Sequence, residues 1–183
     1  MKAITGLLLL CCAAVLGQNP DANAAGGSTA LKVMQDFSFV VGTWRPVARP
    51  DKPEKYAEKY TFQPILDGRF VASEQQLRAP DGKVIYHDLA VFGVDPDTGK
   101  LFLHAYNTDG SMDRTRGVDS PPGKWVFEGT VYGSPRFRDY RYTLTRLDDS
   151  HLGIFIELKN DGVYQSYSDK TYERTSQQPA VFQ

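Results

Sequence analysis

The chain has 183 residues, with 21 Lys and Arg against 22 Asp and Glu, so its formal net charge is -1 at pH 7. A near-neutral chain gains little electrostatic attraction to nucleic acid or to an anionic membrane surface, and neither is an expected partner. Tyr and Phe occur ten times each. Their number favours strands and the walls of pockets over a helical bundle.

The N-terminal segment has the pattern of a secretory signal peptide. Lys2 supplies one positive charge, and residues 4–16 form an apolar run that is too short to span a membrane as a helix. Ala22-Asn23-Ala24 fits the cleavage pattern, so residues 1–24 are predicted to be removed and the protein to be secreted or periplasmic. A cut after Gly17, or a buried N-terminal helix in place of a signal peptide, are the alternatives.

Both cysteines, Cys11 and Cys12, lie inside this apolar run. Leu10 precedes Cys11, whereas a lipid-modified cysteine follows a small residue, so no membrane anchor is expected. The processed chain then has no cysteine, which excludes a disulfide, a thiolate metal site and a cysteine nucleophile. One domain of ordinary size remains.

Residues 25–29 are interpreted as a flexible leader, and the domain is predicted to cover residues 30–176 with a flexible tail over 177–183. Ser28 or Thr29 can cap a short helix. Leu31, Met34 and Phe37 follow at helical spacing and predict an apolar face that plugs the domain.

From Thr43 onward the period is two, as in half-buried strands. Leu101, Leu103 and Ala105 alternate with aromatic and polar residues, and turn residues recur every 10 to 17 positions. The pattern predicts strands near residues 43–49, 55–63, 69–78, 84–94, 100–107, 112–118, 124–131, 138–147, 152–159 and 163–174. Pairing of the first strand with the last would leave no edge strand exposed. The predicted fold is therefore all-β, an antiparallel up-and-down barrel, and a sandwich is the alternative.

Gly42-Thr43-Trp44, after a short helix and at the first strand, resembles the opening of lipocalins. The resemblance implies that Trp44 packs at the closed end of the barrel and that Arg174, on the last strand, lies across its ring. A guanidinium over an indole stabilises such a contact by roughly 0.5–2 kcal/mol. Gly42 would let the helix pack closely.

Short motifs extend this resemblance over nearly the whole processed chain. They are Phe39 to Trp44, Leu66 to Phe70, Phe92 to Asp95 and Lys170 to Arg174. Together they are similar to a family of secreted bacterial lipocalin-like (calycin-type) domains of unknown function, distantly related to the nitrobindins. The haem-binding nitrobindins open with Gly-x-Trp-x-Gly-x-Gly, but here Arg45-Pro46-Val47-Ala48 follow Trp44, so no haem and no other cofactor is predicted.

A ligand site is predicted among strand residues whose side chains could point into the barrel. The candidates are Tyr60, Glu74, His104, Tyr106, Arg116 and Tyr142. Glu74 facing water is the alternative. No nucleophile motif, His-Glu-x-x-His or P-loop occurs, so no catalytic residue is assigned. His87 and His104 lie on neighbouring strands and could face each other, but a metal pair needs a third ligand, so no metal is predicted.

Three functions are compatible with these features. The leading hypothesis is a barrel that binds a small, mostly apolar molecule between aromatic walls, with Tyr or Arg holding its polar end. The second is an enzyme of modest activity that uses an inward carboxylate or histidine, such as Glu74 or His104. The third is an interaction module with a filled core, which requires an exposed apolar patch.

Overall fold

The computed structural model of the protein describes residues 30–134 and 138–177. Residues 30–37 are helical (α1), and a 3-10 turn follows at Ser38–Val40. The ten strands are β1 (Gly42–Pro46), β2 (Ala57–Ile65), β3 (Phe70–Arg78), β4 (Val84–Val94), β5 (Leu101–Asn107), β6 (Met112–Val118), β7 (Lys124–Tyr132), β8 (Asp139–Arg146), β9 (His151–Asn160) and β10 (Val163–Ser176). The predicted signal peptide, leader and helix cap, and all but the first residue of the predicted tail, lie outside the described residues.

The strands form one closed barrel in which each strand pairs antiparallel with the next and β1 pairs with β10. The all-β, up-and-down barrel predicted from the spacing of turns is therefore confirmed. Closure leaves no strand edge unpaired, which is how a meander of this length avoids edge-to-edge association. β1 is shorter than predicted: it ends at Pro46, and its pairing with β2 ends at Trp44.

Trp44 and Arg174 meet where β1 pairs with β10. The Arg174 Cζ lies 4.2 Å from the centre of the Trp44 ring and 5.0 Å from that of Phe39. Arg174 also donates hydrogen bonds to the carbonyl oxygens of Val41 and, at 2.8 Å, of Phe39. The indole Nε1 of Trp44 donates to the Val40 carbonyl at 2.7 Å. One cation thus joins the last strand to the first strand and to the turn before it.

Gly42 allows this close approach. Its φ of 133° suits glycine, and a Cβ built on it would come within 2.5 Å of the Ser176 carbonyl oxygen and 3.2 Å of the Arg174 Nη1. A side chain at position 42 would therefore separate β1 from β10.

The α1 segment closes this end of the barrel with Met34 and Phe37, which are almost fully buried. The Phe37 ring lies 5.0 Å from Phe92 and 5.4 Å from Trp125, centre to centre. Leu31, predicted to share this apolar face, is instead about half exposed, because it lies one turn further from the barrel. In the part of the chain that the structure describes, no helix has the length and hydropathy needed to cross a bilayer.

Candidate functional site

The interior of the barrel has two unlike halves. The half next to α1 is filled by large apolar side chains that solvent does not reach: Trp44, Phe62, Phe92, Phe127, Leu144, Leu152 and Ile154. Close packing of this kind leaves no room for a ligand. A bound molecule would have to enter the other half, which we call the open half.

The open half carries a ring of polar side chains from seven strands, which we call the polar girdle. Its members are Glu58, Gln75, Tyr86, Asp88, Asn107, Asp113, Tyr140, Lys170 and Tyr172. The strand register explains why they meet. Phe92 on β4 faces the filled half, so Ala90, Asp88 and Tyr86 share its face at steps of two residues.

Asp88 and Asp113 are linked through Tyr86 and Asn107. The Tyr86 hydroxyl lies 3.2 Å from the Asp88 Oδ2 and 2.7 Å from the Asn107 Oδ1. Asn107 donates from Nδ2 to the Asp113 Oδ1 at 3.2 Å, and the Tyr140 hydroxyl donates to the Asp113 Oδ2 at 3.2 Å. Two carboxylates are thus held facing the same space by neutral donors, and no cation among residues 30–134 and 138–177 forms an ion pair with either.

The rest of the girdle is organised by Glu58. Its Oε1 accepts from Gln75 Nε2 and, at 2.9 Å, from the Tyr172 hydroxyl. Lys170 Nζ lies 2.7 Å from the Glu58 Oε2 and 2.9 Å from the Glu54 Oε2. Lys170 therefore pairs with both Glu58 and Glu54, whereas Asp88 and Asp113 have no ion-pair partner among the described residues.

The pKa of Asp88 is raised to about 7, chiefly by burial; hydrogen bonds from the Gln75 backbone N–H and from Tyr86 oppose that effect. Burial also raises the pKa of Asp113. Asp88 can therefore hold or release a proton near neutral pH.

Several side chains of the open half are partly accessible to solvent. Asp88, Asn107 and Asp113 face the barrel axis and yet are only half-buried. Four apolar side chains on the same inner face are also half-buried: Leu77, Val131, Ile156 and Leu158. We call this partly solvent-accessible end of the barrel the cup; its polar and apolar side chains lie above buried tyrosines.

Of the predicted ligand residues, Tyr60 and Tyr142 lie inside the barrel, at the floor of this cup. Both are almost fully buried. The Tyr60 ring lies 5.3 Å from that of Tyr172 in an edge-to-face arrangement. The two phenols therefore separate the filled half from the cup.

Glu74 does not point into the barrel. It is paired with Thr61 and Leu89 on the outer face, whereas Ser73 and Gln75 on either side face inward. Glu74 is nevertheless buried, and its Oε1 lies in close contact with His87 Nε2. The expectation of an inward carboxylate on β3 was wrong because its two faces carry similar residues, so alternation alone does not choose between them.

His104, Tyr106 and Arg116 also lie on the outer face. Leu101, Leu103 and Ala105 are buried, so the intervening positions on β5 face outward. His104 lies opposite Arg114 on β6, and its pKa is lowered, first by burial and then by that cation. Placing these three side chains in a barrel site was therefore wrong.

The two strand histidines do not face each other. His104 pairs with Val91 on β4, whereas His87 lies four residues before Val91 and pairs with Gln76 on β3. Within residues 30–134 and 138–177, no three His, Cys, Asp or Glu side chains are grouped so as to hold a metal ion.

An exposed apolar stripe crosses the outer face of four strands. Leu89, Tyr106, Met112 and Tyr132 are successive cross-strand partners on β4 to β7, and each is more than one third exposed. Exposed apolar side chains that adjoin in this way are typical of contact surfaces.

The residues of the polar girdle were absent from the sequence-based site. The sequence does contain a signal for them. Residues two positions apart on a strand share a face, so polar residues at such spacing from a clearly inward residue are expected to point inward too. Tyr86-x-Asp88 leads to Phe92, Glu58-x-Tyr60 leads to Phe62, and Asp113 precedes Thr115 by the same step.

Asp88 is expected to make the protein less stable as pH rises. Its folded-state pKa is above the ordinary value, so the folded state binds more protons than the unfolded state between about pH 4 and pH 7. Protonation of Asp88 therefore increases the free energy of unfolding at low pH. This contribution is lost as the pH rises through the pKa that Asp88 has in the folded state. The Asp88→Asn variant should therefore melt several degrees above the wild type at about pH 8 and only slightly above it at about pH 5. Thermal melts across this range test the expectation, and a variant that melts below the wild type at about pH 8 would contradict it.

Comparison with solved structures supports the barrel. The crystal structure of Rv2717c from M. tuberculosis is similar to this chain, with a TM-score of 0.59 and 19% sequence identity, over 78% of this chain and 96% of that one. At this identity the likeness shows the fold alone. No family model matches the chain.

Proposed function

We propose that the protein binds a small molecule in the cup, with an amine or another hydrogen-bond donor at Asp88 and Asp113. The observation that carries this proposal is the pair of carboxylates that face the cup and that no cation in the described part of the chain neutralises. A cationic group on the ligand would supply the missing charge, and charge-assisted hydrogen bonds are about twice as strong as neutral ones.

The body of the ligand is proposed to be apolar. Leu77, Val131, Ile156 and Leu158 give the cup an apolar wall beside the carboxylates. Such a combination of apolar surface with a few fixed polar groups is the usual composition of small-molecule sites.

We propose further that this binding occurs in a secreted or periplasmic protein, on the grounds of the N-terminal sequence over residues 1–24. Kinship with the secreted lipocalin-like family, and more distantly with the nitrobindins, is likewise a proposal. The contacts of Gly42, Trp44 and Arg174 at the barrel closure support it.

Acid–base catalysis in the same cup is a second candidate function. The observation that favours it is the Asp88 pKa of about 7, beside the Tyr86 hydroxyl. The interaction module is favoured by the outer apolar stripe, but nothing on that stripe selects a partner. Asp88 and Asp113 in the polar girdle, by contrast, favour a ligand with a cationic or hydrogen-bond-donating group. Small-molecule binding is therefore the stronger proposal.

A matched pair of probes tests the binding proposal. Naphthylmethylamine and naphthylmethanol share a ring system, but only the amine is cationic near neutral pH. Isothermal titration calorimetry should show that the wild type binds the amine at least about tenfold more tightly than the alcohol, since a tenfold ratio requires one modest charged hydrogen bond.

The preference should disappear in the Asp88→Asn, Asp113→Asn double variant. Asp67→Asn with Asp97→Asn is the matched control, because it removes the same charge from exposed loops at the filled end. Equal affinity for amine and alcohol in the wild type would refute the proposal, as would a preference that survives in the cup variant.

A further inference from the structure

A second concave site lies outside the barrel. It is a cleft of about 640 Å³ between the 47–56 connection and the outer faces of β2 and β3. That volume is within the range of about 300–1,000 Å³ that small-molecule sites occupy. Its walls are separate from the polar girdle except at Glu58.

Four cations converge on this cleft: Arg45, Arg49, Lys59 and Arg78. The strand register brings Lys59 and Arg78 to the same face, since Lys59 pairs with Gln76 and Ala57 pairs with Arg78. Arg45 follows Trp44 on β1, so it points outward. In the described part of the chain, none of the four forms an ion pair with a carboxylate.

Arg78 is the most constrained of the four. Its Nη1 donates to the Gly82 carbonyl at 3.1 Å and its Nη2 donates to the Gln76 Oε1 at 3.0 Å. These bonds fix the guanidinium without neutralising it.

The carboxylates in the same wall do not neutralise the cations. Glu54 and Glu58 are both held by Lys170, at 2.9 Å and 2.7 Å. The cleft therefore keeps an excess of positive charge over its open space.

The remaining walls are largely apolar. They include Pro46, Pro50, Pro53 and the ring of Tyr56. Proline fixes its own φ and restricts the residue before it, so Pro50 and Pro53 stiffen the connection that roofs the cleft. A stiff roof keeps the space open at a low entropic cost of binding.

From this combination we propose that the cleft is a binding site for a small organic anion, in which a carboxylate, sulfonate or phosphate group is carried on an apolar body. The anionic group contacts Arg45, Lys59 and Arg78. The apolar body lies against Tyr56 and the prolines. The site is independent of the cup, whose carboxylates repel the same ligand.

Anilinonaphthalene sulfonate is a suitable probe, and phenylnaphthylamine is its neutral counterpart. Fluorescence titration should give a dissociation constant for the sulfonate that is about tenfold higher in the Arg45→Gln, Lys59→Gln double variant than in the wild type. The loss of either one of these two charged contacts would account for that ratio. The affinity for phenylnaphthylamine should be the same in both proteins.

The matched control is Arg69→Gln with Lys124→Gln, which removes two exposed cations near the filled end. It should change the sulfonate affinity less than about twofold, because charges beyond about 10 Å are screened in ordinary buffer. Arg49→Gln, in the exposed connection, gives a second cleft variant whose folding does not depend on a strand residue.

Three results would overturn the proposal. They are no binding of the sulfonate to the wild type, equal weakening in the cleft and control variants, and unchanged affinity in both cleft variants. Weakening confined to the cleft variants, with the neutral probe unaffected, would support it.

Discussion

Replacement of Arg174 by alanine is expected to lower the free energy of unfolding by about 3–5 kcal/mol. The change removes a cation that lies over the Trp44 ring at 4.2 Å and two hydrogen bonds to backbone carbonyls, those of Val41 and Phe39. It also removes the side chain that joins β10 to the segment before β1. Chemical denaturation followed by tryptophan fluorescence measures the effect, since Trp44 and Trp125 both lie at this end.

Arg146→Ala is the matched control. Arg146 lies over the Phe39 ring at 4.6 Å, but its side chain is exposed and its ion pair is with the exposed Asp149. Its loss should therefore cost less than about 1 kcal/mol. If the two variants were equally stable, the barrel closure would not depend on Arg174.

Replacement of Gly129 by alanine is expected to cost about 3 kcal/mol. Gly129 lies on β7 opposite Thr115, and a Cβ there would overlap the carbonyl oxygen of Arg114 and approach the Thr115 Cα to 2.6 Å. Because both are backbone atoms, the strands themselves would have to separate. Urea denaturation measures the loss.

Gly153→Ala provides the comparison. Gly153 is also a strand glycine, but a Cβ on it would meet its nearest neighbour, Thr145 Cβ, at 3.6 Å, an ordinary contact distance. Its variant should therefore lie within about 1 kcal/mol of the wild type. Equal losses at positions 129 and 153 would show that the close approach of β6 and β7 is not what selects glycine.

The order and approximate bounds of the strands could be predicted from the sequence. Turn residues punctuate the chain at nearly every strand end, and a meander of short connections can close in few ways. The exception is β1, which was expected to continue beyond Pro46. The alternation of residues within β1 does not indicate where that strand ends, because its end depends on where the neighbouring strands β10 and β2 separate.

The inward faces were predictable only where hydrophobicity differs clearly between the two faces. On β5, buried Leu101, Leu103 and Ala105 settle the orientation, so His104 and Tyr106 had to lie outside. On β3 both faces mix polar and apolar residues, and only the register with Phe62 and Phe92 decides that Glu74 lies outside.

The polar girdle could not be read from hydrophobicity because its members look like solvent-facing residues. Asp88 and Asp113 would ordinarily be assigned to the outer face of a strand. The inward direction of Asp88 follows from Phe92, four residues later, and that of Asp113 follows from Thr115, two residues later. Their proximity follows from the pairing of β4, β5 and β6. A carboxylate on the apolar face of a strand is therefore the feature that a sequence search for such sites should seek.

Native mass spectrometry of the protein purified without detergent tests most directly whether the cup holds a small molecule. The expected result is a discrete added mass on the wild type and on the Asp67→Asn, Asp97→Asn control. That mass should be absent from the Asp88→Asn, Asp113→Asn variant. A bare protein mass in the wild type, or the same added mass in all three proteins, would contradict binding at the polar girdle.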